Sequence, residues 1–196
     1  MDKLDLIEHL QLGDMSSFSE LYKLYSKRAL GTAYLIAGQK SLAEDIVQES
    51  FIQCFHSIKR LKNIETFDVW FYKIVTRTGW RMVAKNKRTL LLDEPETIDN
   101  IIDHNAFEKF NSCDANMTIY ESLAKLSLLL RTVIVLYYFN DMTIKNISKI
   151  LGCFEGTVKS RLHNAKKQLR HIIGEDVKVS VIKTNHDEKE CVDHGK

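Results

Sequence analysis

The chain has 196 residues, of which 44% are hydrophobic, and its formal net charge is +2. One or two domains with buried cores fit this length, and the hydrophobic fraction excludes a chain that is disordered throughout. A single proline and eight glycines exclude an architecture of many short strands and tight turns, so we expect long helices.

The first ninety residues are predicted to form a helical domain. Apolar residues recur at helical spacing over residues 4–12 and 17–37, and Ser41 is expected to cap a third helix, with Glu44 at capping-box spacing. A short basic segment precedes a fourth helix over residues 66–87. The predicted buried face of the fourth helix is Phe67, Trp70, Phe71, Ile74, Val75 and Met82.

An acidic segment without periodicity follows. Residues 92–121 contain eight acidic side chains and one lysine, and Pro95 is the single proline of the chain. We interpret residues 91–117 as a flexible acidic linker, with a transient helical turn near residues 106–110.

Helical periodicity returns at Thr118. A packed helix is predicted over residues 123–138, then a short helix capped by Thr143 and ended by Gly152, and a last helix over residues 155–173. The expected fold class is therefore all-α. Its parts are two small helical domains at residues 1–90 and 118–174, the flexible linker between them, and a disordered tail at residues 175–196.

The last predicted helix has an apolar face and a polar outer face. The apolar face consists of Val158, Leu162, Ala165 and Leu169, and the outer face of Lys159, Ser160, His163, Asn164 and Lys167. A short helix packed on the apolar face across a three-residue turn is a helix-turn-helix, which places the outer face in a major groove. Thr157 and the free N–H groups of the first turn suit a phosphate, and Arg161 suits a phosphate or a nearby acid. The alternative is an amphipathic helix with an ordinary solvated basic face.

Charge is distributed unevenly along the chain. Residues 70–88 contain six basic side chains, residues 143–171 contain seven, and the acidic segment lies between them. This pattern is typical of a chain that contacts a polyanion at two places.

Residues 142–170 resemble region 4 of sigma factors of the extracytoplasmic-function class, group IV of the sigma-70 family. The resemblance is carried above all by Glu155-Gly156-Thr157-Val158-Lys159-Ser160-Arg161-Leu162, followed by Ala165-Lys166. It implies that the last helix reads the −35 promoter element. It also implies that the predicted helix at residues 123–138 docks on the flap of the polymerase beta subunit.

Residues 43–51 resemble the segment of region 2 that grips the coiled coil of the polymerase beta-prime clamp, in the pattern Asp-x-x-Gln-acid-x-Phe. Asp45, Gln48 and Glu49 are spaced at i, i+3 and i+4, so they form one polar patch on a helix. The resemblance adds Phe51 to the polymerase-binding set. Without the resemblance, the patch would be interpreted as a solvated helix face.

Trp70-Phe71-Tyr72-Lys73-Ile74-Val75 resembles the start of the region 2 helix that reads the −10 element. Aromatic rings beside a basic face suit strand opening, because unpaired bases stack on rings while cations follow the backbone. The predicted −10-binding residues are Lys62, Asn63, Tyr72, Lys73, Arg77, Trp80, Arg81 and Lys85. Trp70 and Phe71 are expected to belong to the core.

Several residues depart from the usual pattern of the class. Arg77 and Arg81 stand where an asparagine and an acid are common, and Asn164 replaces a residue that is often basic, so base preferences cannot be transferred. Phe154 replaces the serine or proline that usually precedes the recognition helix, which removes a side-chain N-cap worth roughly 1 kcal/mol.

The resemblance implies a transcription initiation factor that binds core RNA polymerase and promoter DNA. It also implies an anti-sigma factor as inhibitor, which in this class is often membrane-anchored. We expect no enzyme and no cofactor, because the sequence has no Gly-rich phosphate loop, no His-Glu-x-x-His and no nucleophile motif. A metal site at His186, Cys191 and His194 is disfavoured, because these residues lie in a polar tail.

Two further expectations concern the compartment and the competing class. No apolar stretch approaches ~20 residues, residues 1–8 do not resemble a signal peptide, and the four cysteines form no CxxC pair. We therefore expect a cytoplasmic protein with reduced thiols. The alternative function is a helix-turn-helix transcriptional regulator outside the polymerase, but residues 1–90 show neither strand alternation nor an acidic triad for a phospho-acceptor domain.

Overall fold

Polar side chains at the chain's first turns fix where the N-terminal helices begin. The computed structural model describes residues 2–93 and 120–173, with side chains through Asn86 in the first range. Its first helix, α1, spans Lys3–Gln11. Asp2 and Asp5 form a capping box at its start, and the Asp14 carboxylate accepts the N–H groups of Ser16 and Ser17 at the start of α2.

The next helices complete the N-terminal unit. α2 spans Met15–Ala37 and ends at Gly38, whose φ of 78° is left-handed backbone that glycine adopts without strain. α3 spans Lys40–Ser57 and α4 spans Phe67–Asp93, with 3₁₀ turns at Ile58–Arg60 and Ile64–Thr66 between them. Ser41 does not cap α3, because the N-cap is Gln39 and makes no side-chain hydrogen bond there.

Aromatic side chains form the centre of this unit. Phe71 is fully buried, and its ring centroid lies 5.0 Å from that of Phe51, 5.4 Å from that of Tyr25 and 5.7 Å from that of Phe67. These pairs are edge-to-face with Tyr25, tilted with Phe51 and stacked with Phe67, and ring pairs at these distances stabilise a core beyond their buried area.

The predicted buried face of α4 is partly confirmed. Phe67, Phe71 and Val75 are fully buried, whereas Trp70, Ile74 and Met82 are only partly buried. Tyr72 was expected on the polar side, and this prediction is wrong, because the residue is 3% exposed.

The C-terminal unit is also helical. Residues 120–124 are helical, α5 spans Leu128–Ile134 and continues as a π-helical turn at Val135–Phe139, α6 spans Ile144–Leu151, and α7 spans Glu155–Ile173. The predicted continuous helix over residues 123–138 is wrong, because Ser127 has extended backbone (ψ 149°) and starts a new helix. The Thr143 side chain accepts the Asn146 N–H, and Gly152 ends α6 with a φ of 66°, as predicted.

The all-α prediction is confirmed for the described residues, in which no strand occurs. The two units contact one another, with α2 against α5 and its π turn, and α4 against α6. In the two described ranges no helix is both long and apolar enough to cross a membrane. Most of the predicted linker, the turn near residues 106–110 and the tail at residues 175–196 lie outside the described residues.

Candidate nucleic-acid interface

The two faces predicted for the last helix are confirmed in α7. Val158, Leu162, Ala165 and Leu169 are buried, while the outer-face residues Lys159, Ser160, His163, Asn164 and Lys167 are all exposed. The buried face packs on α6, where Ile147 and Ile150 are buried and Leu151 only partly so. α6 and α7 thus form a helix-turn-helix whose second helix presents donors and acceptors to solvent.

The start of α7 offers less to a phosphate than the sequence predicts. The Thr157 N–H donates to the Phe154 carbonyl at 2.9 Å, so this amide is not free to bind a phosphate. The side chain of Thr157 is also partly buried. Arg161 is also partly buried, with Nη1 3.8 Å from Cys153 Sγ. Phe154 is 86% exposed, immediately before the helix. An apolar ring, instead of a hydrogen-bonding cap, therefore precedes the exposed polar face.

The Asp45 patch on α3 is solvent-accessible in part. Asp45 and Gln48 are exposed, whereas Glu49 accepts a hydrogen bond from Gln53 at 2.8 Å and pairs with Arg81 at 3.3 Å. These two contacts, with Gln53 the stronger, lower the pKa of Glu49. Glu49 therefore belongs to the Asp45 patch on α3 and also contacts the basic face of α4 through Arg81.

Phe51 belongs to the core. It is 3% exposed, and its ring centroid lies 4.7 Å from that of Tyr22. In this arrangement its ring is covered by the core, and its place among the polymerase-binding residues stays a prediction. Ile52 of α3 is instead 45% exposed, and so is Tyr22 of α2, the ring beside Phe51. Ile52 follows Gln48 by four residues, so it lies on the same helix face, a spacing that sequence reasoning could have used.

The predicted −10-binding residues divide into an exposed basic set and an interface pair. The exposed members are Lys62, Asn63, Arg77, Arg81 and Lys85, and Lys73 is partly exposed. The Asn63 side chain also accepts the Glu65 N–H at 2.9 Å, which fixes the 3₁₀ turn before α4. The described residues therefore carry a row of cations along α4 and the turn that leads into it.

Tyr72 and Trp80 face the C-terminal unit. The Trp80 indole N–H donates to Thr132 Oγ1 at 2.9 Å, and Tyr72 lines a cleft together with Asn140 and Met142. Burial raises the pKa of Tyr72 to about 12. Tyr72 is thus buried and Trp80 is only partly exposed in this conformation, and local periodicity could not have predicted these contacts.

The described part of the chain contains no cluster of His, Cys, Asp or Glu that could hold a metal ion. The three tail residues considered as metal ligands lie outside the described residues.

Two family models match the chain. The model of sigma-70 region 2 matches residues 21–89, and the model of sigma-70 region 4 matches residues 116–169. The ECF RNA polymerase sigma factor SigW of Bacillus subtilis is 30% identical over 176 residues, which cover 84% of this chain and 92% of SigW.

Solved structures share the fold. The sigma factor RpoE of Bartonella quintana, solved in complex with the anti-sigma factor NepR, has a TM-score of 0.70 at 21% identity, covering 83% of this chain and 99% of RpoE. CnrH, solved in complex with the cytosolic domain of CnrY, has a TM-score of 0.67 at 17% identity, covering 89% of this chain and 98% of CnrH. At these identities the likeness shows the fold alone.

A helix-turn-helix matched by region 4, downstream of a helical unit matched by region 2, defines a sigma factor of the sigma-70 family. Within that family, the chain belongs to the extracytoplasmic-function (ECF) class. A regulator outside the polymerase would leave the region 2 match without a role, so that alternative is set aside.

Proposed function

We propose that this sigma factor reads the −35 element with the exposed face of α7. The observation that carries the proposal is the position of five hydrogen-bonding side chains, all exposed, on the second helix of a helix-turn-helix: Lys159, Ser160, His163, Asn164 and Lys167. Lysine favours guanine and asparagine favours adenine in the major groove, so this face can discriminate between base pairs.

The basic row of α4 is proposed to hold the opened −10 element. Arg77, Arg81 and Lys85 recur every four residues along one helix, a spacing that lines their charges along one side. Cations follow the backbone of a single strand, and Trp80 would supply a ring on which an unpaired base stacks once it is uncovered. Region 2 thereby assists strand opening.

The exposed part of the α3 patch is proposed to bind the beta-prime clamp of core RNA polymerase, with α5 on the beta flap. Asp45 and Gln48 offer the polar contacts, and the exposed Ile52 offers an apolar contact on the same face. An exposed apolar group rimmed by polar ones is typical of a protein-binding surface. The polymerase places the site of action in the cytoplasm.

An anti-sigma factor anchored in a membrane is the proposed regulator. The structurally similar sigma factor RpoE was solved with the anti-sigma factor NepR, and CnrH was solved with the cytosolic domain of CnrY, which supports a partner of this kind here. Affinity capture from detergent-solubilised cells should recover a protein that suppresses transcription when it is added back. Capture of proteins without this effect would count against the regulator.

Two variants separate promoter reading from polymerase binding. Lys159→Ala should lower −35-dependent run-off transcription about tenfold, as expected for loss of one base contact, and leave the affinity for core polymerase unchanged. The double variant Asp45→Ala, Gln48→Ala should do the reverse, with weaker core binding. Loss of core binding in Lys159→Ala would show that α7 has been assigned to the wrong partner.

A further inference from the structure

An exposed aromatic ring lies directly before the recognition helix. The Phe154 side chain is 86% exposed, more than any other large apolar side chain in the described ranges. It immediately precedes α7, which starts at Glu155. We propose that Phe154 reads the methyl group of a thymine in the −35 element, as an apolar contact beside the polar ones. This inference rests on the proposed function of α7 and adds a specificity-determining residue to it.

The residue at this position contributes little to the stability of the helix. Serine, threonine, aspartate and asparagine caps bind first-turn N–H groups through a side-chain oxygen, and phenylalanine has none. The Phe154 ring gains little from burial either, because most of it remains in water. A large apolar side chain that neither caps nor packs breaks two local rules at once, and such breaks are expected at functional sites. The exposed ring therefore indicates a contact with a molecule outside the chain.

Hydrogen bonds fix the backbone that carries the ring. The Phe154 carbonyl accepts the Thr157 N–H at 2.9 Å. The preceding residue, Cys153, donates its N–H to the Ser148 carbonyl at 3.1 Å. Its Sγ lies 3.8 Å from Nη1 of Arg161, which ties the turn to the body of α7. The turn thus presents the ring from a defined position, so little conformational freedom is lost when a ligand covers it.

The ring lies at the end of the helix that enters the groove. In helix-turn-helix proteins the N-terminal residues of the second helix contact base edges. Phe154 precedes Lys159 by five residues, which is about 7.5 Å along the helix axis, or about two base pairs at 3.4 Å each. An added Cβ at Gly156 would meet no atom within 4 Å, so the space beside the ring is open to a duplex. Phe154 therefore extends the exposed polar face of α7 by about two base pairs.

Thymine is the base whose major-groove edge suits a phenylalanine ring. Its C5-methyl group is apolar, and apolar side chains that include phenylalanine contact it in the groove. Lys159 and Lys167 are exposed on the same helix, so their charge attracts a polyanion to the surface beside the ring. Removing one methyl-sized apolar group from water changes an affinity about fourfold. The ring can therefore distinguish thymine from a base without the methyl group.

Replacing thymine by uracil removes the methyl group and leaves every hydrogen-bonding group of the base pair in place. The probe is a promoter duplex whose start site has been mapped with core polymerase and the full-length chain. Each thymine of its −35 element, on either strand, is replaced by uracil in turn, and competition measures the affinity of the holoenzyme. The same set is measured with Phe154→Ala. Leu12→Ala is the control, because Leu12 is 83% exposed in the N-terminal unit.

With the original chain, uracil should weaken binding about fourfold at one or two thymines at one end of the element, and much less elsewhere. Phe154→Ala should abolish this difference between thymine and uracil, and Leu12→Ala should retain it. Because each comparison is made within one variant, an effect of the substitution on folding cancels. If Phe154→Ala does not fold, Phe154→Ser, which gains a cap hydroxyl, replaces it with the same expected result.

Three results would overturn the inference. Equal affinity for thymine and uracil throughout the element would show that no methyl group is read. A difference that persists in Phe154→Ala would assign the methyl group to another side chain, and loss of the difference in Leu12→Ala would show that the effect is not specific to the ring. Failure of the proposed function is a separate result, in which the holoenzyme binds a scrambled −35 element as tightly as the natural one.

Discussion

Replacing Phe154 isolates the contribution of a helix cap beside the recognition face. The Phe154 carbonyl accepts the N–H groups of Thr157 and Val158 at 2.9 and 3.1 Å, which makes this residue the N-cap of α7. A phenylalanine side chain has no acceptor for the remaining N–H groups of the first turn. Since the residue is 86% exposed, about 30 Å² of side chain is covered, which corresponds to about 0.7 kcal/mol.

These quantities give a graded expectation for two variants. Phe154→Ala loses the covered area and should be less stable than the original chain by no more than about 0.7 kcal/mol. Phe154→Ser loses the same area but gains a hydroxyl cap, so it should be more stable than Phe154→Ala by about 1 kcal/mol. For a unit of this size, that difference raises the melting temperature by roughly 4–8 °C.

Thermal unfolding of the full chain, followed by circular dichroism, measures both differences. Both variants lose the phenylalanine ring, so the difference in stability between the serine and the alanine variant measures the contribution of the cap. A serine variant no more stable than the alanine variant would refute the reasoning about the cap. An alanine variant destabilised by much more than the covered area allows would show that the Phe154 ring has partners in the folded chain.

Three further predictions follow from burial and hydrogen bonding. Phe71→Ala should destabilise the N-terminal unit by about 3–5 kcal/mol in urea unfolding, because the ring is fully buried; a loss under about 1 kcal/mol would contradict its central position. Hydrogen bonds from Ser17 and Ser16 hold the pKa of Asp14 at about 2. Because this folded-state pKa lies below the unfolded value, the cap stabilises α2 above about pH 4 and is lost as the pH falls towards 2. As the pH falls through that window, amide hydrogen exchange in the first turn of α2 should therefore become faster in the original chain than in the Asp14→Asn variant. Equal exchange rates in the two chains throughout the window would contradict the cap. Burial raises the pKa of the Cys54 thiol to about 12, so iodoacetamide should modify this thiol only as the chain unfolds. Mass spectrometry detects the modification, and rapid modification of the folded chain would contradict the burial of Cys54.

The faces of α7 could be predicted because a single helix determines them. Val158, Leu162 and Leu169 recur at helical spacing, and any packed neighbour covers that stripe. Phe51 illustrates the limit of a motif, since its spacing from other apolar residues indicates the core, whereas the resemblance assigned it to polymerase. The burial of Phe51 agrees with its apolar spacing, because its ring packs in the core beneath α3 while Asp45 and Gln48 lie on the surface.

The positions of Tyr72 and Trp80 could not be predicted, because contacts distant in sequence determine them. The partner of Trp80 is Thr132, 52 residues further along the chain. Periodicity reports which face of a helix is apolar, but not which polar group of another unit will cover an aromatic edge. The break at Ser127 has a similar origin, since the apolar spacing continues on both sides of it while the backbone is extended there.

Start-site mapping with purified components tests the central claim most directly. Core RNA polymerase is combined with the full-length chain on genomic DNA, and transcript 5′ ends are compared with those made by core alone. A sigma factor should produce a defined set of new starts, each preceded by shared sequences near −10 and −35. Starts identical to those of core polymerase alone would contradict the account.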